Sequence, residues 1–134
     1  MIEPTTNIDK INSILKHPDI WPLISEPDDD IDLFTPPMGD NHYLYEDGVL
    51  FILHPEGDDL EIHANVLPES RGKAKAAAQE ALNYGFNVLK TDRIVANIPE
   101  KYGNVYGFAK KFMNDDGVIN GIHRLSLRVE AWGL

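Results

Sequence analysis

LEIHANVLPESRGKAKAAAQEAL, residues 60–82, changes its period halfway along. Leu60, Ile62, Ala64 and Val66 alternate with Glu61, His63 and Asn65, the two-residue repeat of a strand with one face toward a core. Beyond Pro68-Glu69-Ser70-Arg71-Gly72 the apolar spacing lengthens. Ala74, Ala77, Ala78, Ala81, Leu82, Gly85, Val88 and Leu89 then mark one face of a helix over about residues 72–89. Its small residues suit close packing on a sheet. Arg71, Lys73 and Lys75 crowd the start of that helix, where the helix dipole works against positive charge. An anion beside them would offset the conflict.

Working outward, Asp47-Gly48 separates HYLYE (42–46) from VLFILH (49–54), a strong hairpin signal because glycine tolerates the positive φ of tight turns. A second turn at Pro55–Asp59 leads into the quoted strand. Upstream, NIDKINSILK (7–16) sets Ile8, Ile11, Ile14 and Leu15 on one helical face, with Asn7 as its cap and Pro18 as its limit. Residues 18–41 form an irregular acidic and proline-containing segment with a short helix around Trp21–Ser25. Downstream, RIVANIP (93–99) is a strand closed by Pro99 and NVYGFAKKFM (104–113) a short helix. VINGIHRLSLRVEAW (118–132) makes two strands about Asn120-Gly121. The order helix, three strands, helix, strand, helix, two strands implies an α/β fold with one mixed, mostly antiparallel central sheet and flanking helices. All of residues 1–134 are expected in a single domain.

Composition narrows the function classes. The net charge of −10 is uneven: residues 1–60 hold 14 acidic and 2 basic side chains, residues 61–134 hold 8 and 10. The whole-chain charge argues against nucleic acid, while the second half can still hold a small anion. Without cysteine there is neither a disulfide framework nor a thiolate site, and MIEPTTNIDKINS lacks the basic and apolar regions of a secretion signal. No apolar run is long enough for a membrane span, and the lack of cysteine permits the intracellular setting that is expected. GxGxxG and GxxxxGK[ST] are absent, which argues against dinucleotide and P-loop chemistry. His17, His42, His54, His63 and His123 show no metal-ligand spacing, so no metal site is expected.

LPESRGKAKAAAQEAL resembles the acyl-CoA-binding signature of the GCN5-related N-acetyltransferase (GNAT) family: Arg or Gln, two residues, Gly, one residue, then Gly or Ala. The pattern falls on Arg71, Ala74 and Ala76, with Ala74 replacing the usual glycine. Across roughly residues 40–130 the element order is similar too, and EIHANVLPESRGK followed by RIVANIP resembles small acetyltransferase-like proteins of tailed bacteriophages. The resemblance implies an acyl-CoA N-acyltransferase-like fold, in which the strand ending near Val66 splays from the strand beginning near Arg93. It implies acetyl-CoA or CoA as ligand, with pantetheine along Asn65, Val66 and Leu67. The pyrophosphate would lie at Arg71, Gly72, Lys73, Ala74, Lys75 and Ala76, and Asn104 would stand for the asparagine of the later family motif.

The implied reaction is direct transfer of acetyl to an amine, or to a basic protein acceptor. Glu61 or His63 serves as base, and Tyr106 as the acid for the departing thiolate. Lys111 stands where simple spacing would put that tyrosine, and Tyr102 is a second choice on the preceding turn. The competing expectation is a noncatalytic structural or protein-binding role with a phage partner. The implied location is the host cytoplasm or the virion.

Overall fold

The computed structural model describes residues 1–132. Seven strands make one sheet: β1 (Glu3–Thr5), β2 (His42–Glu46), β3 (Val49–Glu56), β4 (Asp59–Val66), β5 (Arg93–Pro99), β6 (Asn114–Ile119) and β7 (Ile122–Arg128). Their order across the sheet is β1-β2-β3-β4-β5-β7-β6. The pairs β1–β2, β2–β3, β5–β7 and β6–β7 are antiparallel, whereas β4 and β5 are parallel. Helices α1 (Ile8–Leu15), α2 (Trp21–Ile24), α3 (Ala74–Asn87) and α4 (Gly103–Ala109) complete the fold, with 3₁₀ turns at Pro68–Lys73 and Val129–Trp132. The expected mixed, mostly antiparallel sheet with flanking helices is therefore the observed architecture.

Two compact units divide the chain. Residues 1–53 and 63–81 form the first. There the Asn7 side chain accepts the Lys10 N–H at 3.2 Å and starts α1, whose Ile11, Ile14 and Leu15 are buried. Those residues pack with Ile20, Tyr43, Leu50 and Leu67. Ile8, expected on the same face, is exposed: it stands at the first turn, beyond the end of the apolar stripe. β1 was not expected from the sequence. It is three residues long with Pro4 at its centre, and an edge strand tolerates proline because one row of its backbone groups has no sheet partner.

Residues 54–62 and 82–132 fall in the second unit. Leu60, Leu82, Phe86, Ile94, Ile98 and Leu125 form its buried centre. Gly85 of α3 lies against Ile94, where a Cβ would stand 2.7 Å from Ile94 Cδ1, so the absent side chain sets how close the helix approaches β5. α3 stops at Asn87, and Val88, expected on its apolar face, is 58% exposed. The cause is local: Leu89 N–H turns back to Tyr84 O at 3.1 Å, and Lys90 takes φ +62°. α4 is shorter than expected: Lys111 N–H bonds to Phe108 O at 3.1 Å and Phe112 N–H to Ala109 O at 3.0 Å, three-residue turns that replace the helical pattern over residues 110–112. Asn120 and Gly121 both have positive φ, 53° and 76°, as a type I′ hairpin requires.

Candidate functional site

β4 enters the site beside β5, but the two share only two registered pairs, Leu60↔Ile94 and Glu61↔Val95. Both strands run on past that point, to Val66 and Pro99. Burial along β4 departs from the simple alternation: Leu60 is buried and Glu61 half-buried, yet Ala64 is exposed and Asn65 is 9% exposed. What covers a residue decides its burial, and β4 does not keep the same neighbours along its length.

The strand gives way at Leu67 to the 3₁₀ turn. Leu67 N–H donates to Gly48 O at 2.9 Å and Leu67 O accepts the Ser70 N–H at 2.9 Å, so both of its backbone groups are engaged within the protein. Ser70 is buried against the β2–β3 turn, where a Cβ on Gly48 would lie 1.8 Å from Ser70 Oγ. Lys73 Nζ donates to Asp47 O at 3.3 Å. Ala74 N–H returns to Arg71 O, and the Ala74 methyl is turned inward at 8% exposure. Arg71, Gly72, Lys75 and Ala76 are exposed, with open space where a Gly72 side chain would be. All three basic residues at this helix start, Arg71, Lys73 and Lys75, are exposed, and Lys73 is in addition tied to a turn.

Glu61 lies in a polar network across four strands. Its Oε1 is 2.9 Å from His54 Nε2, and its Oε2 accepts from Asn97 Nδ2 at 2.6 Å. Asn97 Nδ2 also donates to Glu56 Oε2 at 3.0 Å, while Asn97 Oδ1 accepts from Arg124 Nη1 at 2.8 Å. Arg124 Nη2 closes the set on Glu56 Oε1 at 2.7 Å. The Asn97 amide is thus oriented unambiguously, nitrogen toward two carboxylates and oxygen toward a guanidinium. Nearby, Asp59 Oδ2 accepts from Arg93 Nη2 at 2.6 Å and Nε at 3.1 Å, which holds the Asp59 carboxyl below its ordinary value.

His63 stands two residues past Glu61 on β4 and is exposed. Asn104 occupies the exposed first turn of α4. Tyr106, two residues on, donates its hydroxyl to an Asp115 carboxylate oxygen, which raises the tyrosine above its ordinary pKa, with burial adding to the effect. Its ring stacks on His123 at 3.8 Å between centroids, and Lys110 Nζ lies 5.3 Å from the ring centre. Asp115 is held low by that hydroxyl and by Gly117 N–H at 2.8 Å.

His54 and Asn97 were not singled out as site residues from the sequence. A signal for His54 was present: counted from a turn at Gly57-Asp58, His54 falls opposite Glu61. Asn97 gave a weaker one, a polar residue within the otherwise apolar RIVANIP.

No family model matches the sequence, and neither does any curated protein. Solved structures do. A spermidine N-acetyltransferase SpeG N152L mutant from Vibrio cholerae aligns with TM-score 0.73 at 14% identity, covering 99% of this chain and 95% of that one. A SpeG K23-Q34 chimera of the Vibrio cholerae enzyme and hSSAT gives 0.74 at 13% identity, with 98% and 96% covered. An acetyltransferase of the GNAT family from Bacillus anthracis gives 0.57 at 23% identity, with 68% and 67% covered. These likenesses show that the chain shares its fold, a mixed, mostly antiparallel sheet with flanking helices, with such N-acetyltransferases, the Bacillus anthracis protein of the GNAT family among them.

Proposed function

We propose that the protein binds acetyl-CoA at the junction of β4 and α3 and transfers the acetyl group directly to an amine. One observation carries the reading: the parallel β4–β5 register ends after Glu61↔Val95, so the strand carrying Asn65 and Val66 continues without a registered β5 partner. Backbone groups there suit an extended amide chain such as pantetheine. Arg71 and Lys75, with the open surface over Gly72, supply charge for the pyrophosphate. Glu61 is the base. The acceptor nitrogen attacks the thioester carbon, its proton passes to Glu61, and the C–S electron pair leaves with the CoA sulfur. Val66 N–H is the donor for the developing oxyanion. The acidic first half of the chain favours a cationic acceptor, and spermidine, for which the similar Vibrio cholerae N-acetyltransferases are named, is the first substrate to try.

Isothermal titration with acetyl-CoA and CoA, followed by an acetylation assay with spermidine and other amines, tests this. Binding that weakens about tenfold in Arg71→Ala, a loss near 1.4 kcal/mol, supports the placement. No binding at millimolar ligand overturns it. A second reading, a protein-binding role without catalysis, draws on the 3₁₀ turn, where the Ala74 N–H is spent on Arg71 O rather than left for a phosphate. Acetyl-CoA binding without turnover on any amine would favour that reading.

A further inference from the structure

His54, Glu61 and His63 bring two imidazoles and one carboxylate to one face of the neighbouring strands β3 and β4. Residues two apart on a strand point the same way, which sets Glu61 and His63 side by side. His54 of β3 meets Glu61 across the strands, with Nε2 2.9 Å from Oε1. One ligand atom from each of the three lies within 4.8 Å of the other two. Spacing along the chain conceals this set, because the turn at Gly57-Asp58 assembles it and not a run of adjacent residues. Glu61 Oε2 is held by Asn97 Nδ2 at 2.6 Å, so Oε1 is the oxygen that faces His54. The cation of the surroundings, Arg124, is already matched by the Glu56 carboxylate.

We propose that these three side chains bind a divalent transition-metal ion of the Zn²⁺ class. Imidazole nitrogen and carboxylate oxygen are ordinary ligands of such an ion, at about 2.0–2.2 Å, and two histidines with one carboxylate leave a position open for water. Around a tetrahedral ion with such bonds, donor atoms stand roughly 3.3 Å apart. That lies between the 2.9 Å from His54 to Glu61 and the 4.8 Å that bounds the set. His63, the exposed member, has room to swing its ring inward. The hydrogen bonds behind the ligands are of the kind that orients them: Asn97 fixes the Glu61 carboxylate, and a ring bound through Nε2 carries its N–H on Nδ1, 3.2 Å from Pro55 O. In the ion-free protein the 2.9 Å contact is a hydrogen bond between Nε2 and Oε1, and the ion takes the place of its proton. Binding follows from this geometry alone; its consequence for turnover rests on the proposed transfer reaction. An ion on Glu61 draws electron density from the carboxylate and makes it a poor base, so Zn²⁺ inhibits transfer.

Isothermal titration of chelator-treated protein with Zn²⁺ tests the site. Mg²⁺ is the reference, because a chain of net charge −10 attracts any cation loosely. The expected result is saturable Zn²⁺ binding without comparable Mg²⁺ binding, since Mg²⁺ takes oxygen ligands. Loss of a partner behind a ligand costs about 10–100-fold in metal affinity, so losing a ligand itself, in His54→Ala or His63→Ala, should cost roughly 10²-fold or more. His63 is exposed, so its variant removes a ligand without opening the core. No saturable Zn²⁺ binding, equal affinity in wild type and His63→Ala, or Mg²⁺ bound as tightly as Zn²⁺ overturns the proposal. In the acetylation assay with spermidine, the Zn²⁺ concentration for half inhibition should rise in His63→Ala by the same factor as the dissociation constant. Inhibition of that variant at the wild-type concentration overturns the effect on turnover. If wild-type protein acetylates nothing, the transfer reading fails and the titration still decides the ion site.

Discussion

At Gly48 one missing side chain decides a contact. The residue has φ +80°, and a Cβ would meet buried Ser70 Oγ at 1.8 Å. Gly48→Ala combines a left-handed alanine with a collision that the 3₁₀ turn must yield to. We expect a loss of about 2–4 kcal/mol in urea unfolding, with a lower midpoint and an unchanged slope. Tyr106 is the opposite case, a side chain whose chemistry is already spoken for. Its hydroxyl proton goes to Asp115, so Tyr106→Phe should leave single-turnover acetyl transfer unchanged. It should also let the Asp115 carboxyl rise toward the ordinary range, because the largest cause of its depression is gone. A ¹³C titration of the carboxylates reads the second effect, and a slowed chemical step would restore Tyr106 as the leaving-group acid.

Among the elements, α3 shows how far a sequence pattern reaches. Ala74, Ala77, Ala78, Ala81 and Leu82 are buried as the spacing predicts, and Gly85 provides the close approach to Ile94. Gly85→Ala gains up to about 1 kcal/mol of helix propensity but costs about 1–3 kcal/mol in overpacking. A net loss near 1 kcal/mol is expected. Ile94→Val removes the Cδ1 that an alanine at 85 would strike, so its usual cost of about 0.5–1.5 kcal/mol should shrink in the Gly85→Ala background. Equal costs in both backgrounds would show that β5 had moved instead. At either end of the same helix the pattern stops short. Arg71 and Gly72 belong to a 3₁₀ turn pinned by the β2–β3 hairpin, and Val88 lies just beyond the last helical residue, two positions before left-handed Lys90. A hydrophobic period says which face is buried and says little about the last turn, where competing hydrogen bonds decide.

For the molecule as a whole, acid stability has an identified contributor. Asp59 is depressed in the fold, mainly by its hydrogen bond from Arg93. A depressed carboxyl contributes stability above its unfolded pKa, about 4, and loses it as pH falls from there through the lower folded value. Melting temperature should therefore drop below about pH 4, and Asp59→Asn should flatten that limb while lowering the plateau above it. A limb of unchanged steepness would assign acid sensitivity to other carboxylates.

From α1 onward the sequence by itself determined the succession of helices and strands, because hairpin glycines, the Asn7 cap, proline stops and apolar periods act over a few neighbouring residues. The resemblance of residues 67–82 to an acyl-CoA signature likewise pointed to the fold that the chain shares with solved N-acetyltransferases. Tertiary structure alone decided the company of Glu61. Alternation along β4 placed it on a polar face, but Asn97 lies 36 positions further on, and its approach to 2.6 Å depends on β5 pairing parallel beside β4. His54 is a different case: register counted from the Gly57-Asp58 turn already sets it opposite Glu61, and the fold decided which ring nitrogen faces the carboxylate. Periodicity records which side a residue faces; strand order decides what it meets there, since that order is set by burial summed over the whole sheet and not by any one segment.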